Sequence, residues 1–111
     1  MATYTSKELT PVTGLTASAA TLYTVPASTT TTVKTILLAN YTSTDRTVTL
    51  HLVPSGGSVA AGNKILGEIN VPANTTTTVD TAIMLPTGAF ISGLASATTS
   101  VNVHISGVEI S

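Results

Sequence analysis

The sequence has no cysteine and no tryptophan, and only 8% of its 111 residues are charged. Without cysteine, disulfides, iron–sulfur clusters and thiolate zinc sites are excluded. Ordinary soluble domains carry about 25% charged residues, and the cores of protein interfaces are depleted in Lys, Glu and Asp. The shortage of charge therefore favours a chain whose surface is largely covered in an assembly. The alternative is a soluble domain that threonine hydroxyls keep in solution.

Positive charge and long apolar runs are also scarce. The four basic residues are spread along a chain of net charge −1, so no basic patch is predicted to draw a phosphate backbone. No stretch approaches the roughly 18 apolar residues that a membrane span needs, and the polar residues 1–8 do not form a secretory signal. We expect one domain with no nucleic-acid partner and no membrane partner.

The residues that could carry chemistry are too few for an active site. His51 and His104 each lie between apolar residues on a predicted strand, so both are expected to point away from the core, towards solvent or an interface. Zinc takes three or four protein ligands, and no such spacing occurs here. No Gly-x-Ser-x-Gly elbow precedes a helix. We predict no catalytic, cofactor-binding or metal-binding residue, and a protein that is not an enzyme.

Strand signals dominate the rest of the chain. Thr, Val and Ile recur in short runs bounded by Pro, Gly and Asn, at spacings of about 8 to 12 residues. Their β-branched side chains fit a pleated surface better than a helix. Between Thr47 and Val53 apolar and polar residues alternate with the period of a strand. This pattern predicts an all-β fold, an antiparallel β-sandwich that is jelly-roll-like and has about eight strands.

One segment occurs twice. Residues 25–35 recur as residues 71–81 with only two substitutions. Proline fixes its own φ and cannot donate to a strand ladder, so Pro26 and Pro72 are expected to mark turns. The repeat predicts two equivalent strand–turn–strand units, one in each sheet.

The last strand changes phase. Val101, Val103 and Ile105 are odd-numbered, whereas Val108 and Ile110 are even-numbered. One extra residue at 106–107 would return all five to one face, so a β-bulge containing Gly107 is predicted.

The first part of the chain is less regular than the rest. We expect residues 1–19 to form an extended N-terminal arm that docks onto a neighbouring subunit, and residues 20–111 to form the sandwich. The predicted core of the sandwich is Leu22, Val25, Val33, Leu37, Val48, Leu50, Leu52, Ile69, Val79, Met84, Ile91, Val103 and Ile105.

Four stretches together resemble small structural proteins encoded by tailed bacteriophages. They are Thr21–Ala27, Val33–Asn40, Val48–Gly57 and Val103–Glu109. The similarity extends from about Thr21 to the end of the chain, and it brings no functional residues with it. It implies a virion component of the capsid surface or of the tail and fibre apparatus, assembled in the host cytoplasm.

The resemblance and the low charge lead to one expected function and two alternatives. We expect a capsid cement or decoration protein that forms a dimer or trimer with itself and binds the major capsid protein. A tail or head-fibre subunit is the first alternative. A receptor- or glycan-binding module is the second, with Tyr41 in a loop as the aromatic ring available for stacking.

Overall fold

The computed structural model describes residues 3–111, apart from the side chains of Ala61 and Thr81. Almost every described segment is a strand or a tight turn, as expected of a chain rich in β-branched residues. A single 3-10 turn, Ala61–Asn63, lies between the fourth and fifth strands. The strands are β1 (Tyr4–Gly14), β2 (Ala20–Thr24), β3 (Thr30–Asn40), β4 (Arg46–Val53), β5 (Lys64–Val71), β6 (Thr76–Leu85), β7 (Phe90–Ala95) and β8 (Val101–Ile110).

The strands form two four-stranded antiparallel sheets that pack face to face. Sheet A has the order β1-β8-β3-β6, and sheet B has the order β2-β7-β4-β5. Consecutive strands lie in opposite sheets except for β4 and β5, which is the winding of a jelly roll built from two Greek keys. The predicted jelly-roll-like sandwich is confirmed.

The repeated segment builds two equivalent units, but not one in each sheet as predicted. Both copies leave sheet B and enter sheet A, from β2 to β3 and from β5 to β6. Each turn holds a residue with a left-handed backbone, Ser28 at φ 56° and Asn74 at φ 57°. The prolines therefore mark turns as predicted. Because each turn connects sheet B to sheet A, neither copy of the repeat lies within a single sheet.

The same turn shape recurs where β4 and β6 end. Gly56 (φ 79°) and Gly88 (φ 83°) follow Pro54 and Pro86 by two residues, as Ser28 and Asn74 follow their own prolines. The next amide donates to the proline carbonyl, over 2.9 Å from Gly57 and 3.1 Å from Ala89. Four of the five prolines thus end a strand and begin a tight turn.

The connections gather at the two ends of the sandwich. At the three-turn end, the Gly88 amide donates to the Val25 carbonyl over 3.2 Å, which joins two of the proline turns. At the four-loop end, the Tyr41 amide donates to the Ser100 carbonyl over 3.2 Å. The three-turn end contains residues 25–29, 54–63 and 86–89, and the four-loop end contains residues 15–19, 41–45, 72–75 and 96–100.

The predicted N-terminal arm is wrong for the residues that the structure describes; residues 1 and 2 lie outside them. Tyr4–Gly14 is β1, which pairs antiparallel with β8 along its length. Leu9, Thr10 and Leu15 are buried. The ladder shifts register twice within β1, so the strand lacks the continuous alternation that would have revealed it.

Seven of the predicted core residues are buried, and four more pack partly buried against the core. The assignment of Leu37 and Met84 to the core is wrong, because both side chains point outward, with 36% and 62% of their surface exposed. In β3 the inward positions change from Val33 to Ile36 across a register shift at residue 34. This bulge moves Leu37 to the outer face and places Ile36 and Leu38 in the core instead.

The predicted bulge at Gly107 is also wrong in its location. Strand β8 alternates without interruption from residue 101 to residue 108, and the extra residues lie opposite it, in β1 and β3. Val108 and Ile110 consequently point to the outer face of sheet A. A Cβ atom on Gly107 would lie 2.2 Å from the Thr32 carbonyl oxygen, so this glycine allows the β3 backbone to approach closely.

Candidate interaction surface

The outer face of sheet A carries most of the large apolar side chains that the fold exposes. The strand register places Tyr4 beside Ile110. On the other side of the sheet, Thr32 lies between Met84 and Val108. The Thr32 hydroxyl contacts the Met84 sulfur at 3.0 Å, so the two side chains share this face. Tyr4 and Met84 are 71% and 62% exposed. An apolar surface of this kind typically marks a contact with another molecule.

A shallow groove lies in the half of this face nearest the four-loop end. Its volume is about 210 Å³. Val12 forms one wall from the edge strand β1, with 68% of its surface exposed, and Leu37 forms the floor on the central strand β3. The remaining lining comes from Ala39, Thr76, Asn102, Val103 and His104.

The charged groups of this face lie near its middle. Glu8, Ser106, Thr35 and Asp80 pair in one row across the four strands. The Glu8 carboxylate lies 2.8 Å from His104 Nε2. Both carboxylates are on edge strands, while the exposed Lys34 lies next to Thr35 on the central strand β3.

The opposite face of the sandwich is covered in part by its own chain. His51 on β4 is buried, and its Nδ1 atom lies 3.1 Å from both the Ala60 carbonyl and Asn63 Oδ1. The Asn63 amide donates to the Ser58 carbonyl over 2.8 Å, and Val53 is fully buried below the same loop. His51 points away from the core as predicted, but residues 54–63 cover it, so it does not face solvent.

Within residues 3–111, no cluster of three or more His, Cys, Asp or Glu side chains could hold a metal ion. His104, on the outer face of sheet A, has Glu8 as its carboxylate partner. No helix in the described part of the chain is long and apolar enough to cross a bilayer.

A buried polar cluster joins the two sheets near the three-turn end. The Tyr23 hydroxyl, from sheet B, donates a hydrogen bond to the Glu109 carboxylate of sheet A. It also lies 2.9 Å from Thr31 Oγ1. Lys7 Nζ lies 3.3 Å from the other Glu109 oxygen. Burial, reinforced by the hydrogen bond to Glu109, raises the pKa of Tyr23 to about 12. The cluster uses its hydrogen-bonding groups internally, so its role is to hold β2 against sheet A.

This cluster was not predicted from the sequence, although the sequence contains a signal for it. Glu109 is odd-numbered like the inward residues Val101, Val103 and Ile105, and the regular alternation of β8 turns it towards the sandwich interior. The predicted bulge placed it on the outside instead. An acidic residue in an inward position calls for a partner from the facing sheet.

The exposed tyrosine rings lie far apart. Tyr41 is 49% exposed in a loop at the four-loop end, whereas Tyr4 lies near the three-turn end. The two rings therefore do not form a common stacking platform.

A comparison with protein families gives no match, and neither does one with curated protein sequences. Solved structures do share the fold. A chain in the structure of infectious bursal disease virus, Gx strain, matches 98% of this chain with a TM-score of 0.57 and 10% identity. This chain spans about a third of it, since 32% of the virus chain is covered.

A second similar structure comes from Bacillus endospore appendages, described as a novel family of disulfide-linked pili. It matches 98% of this chain and 88% of its own length, with a TM-score of 0.58 and 14% identity. At these identities both similarities show the fold and do not assign a function.

Proposed function

We propose that this chain is a structural protein of a tailed bacteriophage particle, a cement or decoration protein that stabilises the capsid by packing against other proteins. The observation that carries the proposal is the asymmetry of the sandwich. One outer face is partly covered by the chain's own loop through His51 and Asn63, while the other exposes Tyr4, Val12 and Met84. Such a surface is suited to burial in an assembly.

The low charge of the chain supports the same proposal. With 8% charged residues, little desolvation of ionic groups opposes association, and buried apolar area contributes about 25 cal/mol per Å² before the costs of association. In this proposal the partners are other copies of the chain and the major capsid protein. The protein is then located on the capsid surface of the virion, after assembly in the host cytoplasm.

The two similar structures support a role in a repeated assembly, one being a virus and the other a pilus. The appendages are described as disulfide-linked, whereas this chain has no cysteine. Its contacts in an assembly would therefore not include disulfides from these residues.

The test is to measure the protein in purified virions by quantitative mass spectrometry, relative to the major capsid protein. A decoration protein is expected in amounts comparable to the capsid protein. Its removal from the particles should leave the tail attached to the head. Its absence from purified particles would contradict the proposal.

A tail or head-fibre subunit is the alternative that the pilus similarity favours, because this chain covers 88% of that filament protein. Copy number separates the two, since fibre subunits are scarce in comparison with the capsid protein. A glycan-binding module would instead give signal on a glycan array that the Tyr41→Ala substitution removes.

A further inference from the structure

We infer that the four-loop end of the sandwich binds an acidic sugar, with Arg46 holding the sugar carboxylate and Tyr41 packing against the sugar ring. Arg46 is the first residue of β4 and directly follows residues 41–45, one of the four loops at this end. The site lies outside the outer face of sheet A. The inference therefore goes beyond the proposed packing function and is compatible with it.

Arg46 is the one arginine of the chain, and its guanidinium group has no partner within the protein. The Nε atom is buried and makes no hydrogen bond to any residue that the structure describes. The ion pairs found within residues 3–111 are Lys7–Glu109 and His104–Glu8. Buried donors in native proteins almost always have an acceptor. The Arg46 side chain is partly exposed, so an acceptor can reach it from outside.

The acceptors nearest to Arg46 in register and in sequence receive hydrogen bonds from other donors. Arg46 lies opposite Val71 in the ladder between β4 and β5, and the Val71 carbonyl accepts from the Asn40 side-chain amide over 2.9 Å. Asp45 precedes Arg46, and its carboxylate accepts from the Ala73 backbone amide over 2.9 Å. Both interactions hold the loops of this end in place and leave the Arg46 charge uncompensated.

The alternation of β4 directs Arg46 towards the space between the two sheets. Arg46 is even-numbered like Val48 and Leu50, which are fully buried in the core. Because β4 begins at Arg46, the guanidinium group lies where the core ends and the loops begin. A ligand approaching the four-loop end can therefore reach it without displacing a strand.

The charge at this end selects a singly charged acid. Asp45 is the one charged residue in the four loops. The exposed Lys34 lies within β3, and Lys64 begins β5 at the opposite end of that strand from Val71. Arg46 is thus the local cation, and a guanidinium group presents two parallel N–H groups that match one carboxylate.

The surroundings of Arg46 favour a sugar over an acidic peptide. Tyr41 is 49% exposed at the start of the loop that leads to Arg46, and its ring combines an apolar face with a polar hydroxyl group. The four loops otherwise consist mainly of Ser, Thr, Asn and Ala. Their hydroxyl and amide groups can both donate to and accept from the hydroxyl groups of a sugar. A few polar groups beside an apolar surface are typical of a small-ligand site.

An NMR titration of the full chain labelled with ¹⁵N tests the inference. Because the chain has one arginine, its Nε–H resonance reports on Arg46 directly. The probes are galacturonate and N-acetylneuraminate, which carry the carboxylate on different sugar rings, and the methyl ester of galacturonate is the uncharged control. We expect the Nε–H resonance to shift at millimolar concentrations of the acids and to stay in place with the ester. The acid that binds more tightly identifies the type of sugar.

Variants test the role of each residue, with the backbone amides of residues 42–44 as the reporters. Arg46→Gln and Tyr41→Ala should each weaken the binding of the sugar acid by about tenfold or more, because each removes one of the two main contacts. Lys64→Gln removes the same charge from an exposed position at the other end of β5 and should bind as the natural protein does. The dispersion of the amide resonances shows that each variant is folded.

Three results would overturn the inference. Neither acid could shift the Arg46 Nε–H resonance or the loop amides. Arg46→Gln could bind the sugar acid as tightly as the natural protein. A short poly-glutamate peptide could shift the Nε–H resonance at lower concentration than either sugar acid, which would assign the site to an acidic protein segment. None of these results depends on the abundance of the protein in virions, so the proposed function is tested separately.

Discussion

Replacing Gly107 by alanine is the sharpest test of how the central strands of sheet A fit together. The added Cβ atom would lie 2.2 Å from the Thr32 carbonyl oxygen and 3.2 Å from the Thr32 carbonyl carbon. An ordinary carbon–oxygen contact is longer by about 1 Å, so β3 and β8 would have to separate by about that distance. The obstacle is backbone, which cannot change rotamer to make room. Leu9, at 3.0 Å, adds a second close contact.

The cost follows from this geometry. Overpacking a core costs about 1 to 3 kcal/mol when side chains can adjust, and here the ladder between two central strands must also open. We therefore expect Gly107→Ala to lower the free energy of unfolding by at least about 3 kcal/mol, a large share of the roughly 5 to 15 kcal/mol of a typical domain. Urea denaturation followed by circular dichroism measures the change as a lower midpoint.

The matched control is Gly62→Ala, because a Cβ atom at Gly62 would meet no atom within 4 Å. That substitution should change the free energy of unfolding by no more than about 0.5 kcal/mol. A Gly107→Ala variant as stable as Gly62→Ala would refute the close approach of β3 to β8.

Three further substitutions test the polar contacts. Tyr23 has a pKa of about 12 in the folded state against an ordinary value of 10, so the stability it contributes is complete below pH 10 and is lost as the pH rises towards 12. Tyr23→Phe should flatten this alkaline loss in a pH series of thermal melts. Asn40 is buried, and its amide donates to the Thr44 and Val71 carbonyls over 2.8 and 2.9 Å. Asn40→Ala should lower the unfolding free energy by about 2 to 4 kcal/mol in urea titrations, and no change would refute this role. His51→Ala should release residues 54–63, which faster hydrogen exchange there would report; unchanged exchange would contradict the proposed anchoring.

The fold class could be predicted from the sequence because it depends on features that are local. β-branched residues recur through β3, β4 and β6, and a proline precedes or follows each of these strands. Strand β4 illustrates this, since its alternation placed Val48 and Leu50 correctly in the core. The turns at Pro26 and Pro72 were likewise predictable, because the restriction on φ belongs to proline itself.

The errors in β1, β3 and β8 have one physical origin, which is that bulges change which residues face inward. The register shifts in β1 and β3 arise where these strands meet β8, and neither strand shows them by itself. The alternation of apolar residues changes phase near Gly107, and the predicted bulge assigned the extra residue to β8. In the structure the neighbouring strands contain the extra residues, so Leu37 points outward and β1 was mistaken for an arm. Met84 is a separate error, because β6 alternates regularly from Val79 to Leu85 and its even-numbered residues face outward.

Those same errors concealed the candidate surface. Its apolar residues come from β1, β3, β6 and β8, and three of them, Leu37, Met84 and Val108, had been assigned to the interior or its face. A sequence pattern distinguishes apolar from polar positions, but the side to which an apolar residue points depends on pairing between distant strands. The overall scarcity of charge was therefore the sequence feature that indicated an interaction surface.

The position of β8 between β1 and β3 affects how the protein is made. A ribosome adds about 5 to 20 residues per second, so β1 waits several seconds without its ladder partner while the intervening strands emerge. The outer face of sheet A has β8 near its centre, and it exists only once that strand is in place. Nascent chains that have not yet reached β8 are therefore expected to lack this surface, so the synthesis of β8 has to precede any contact made through it.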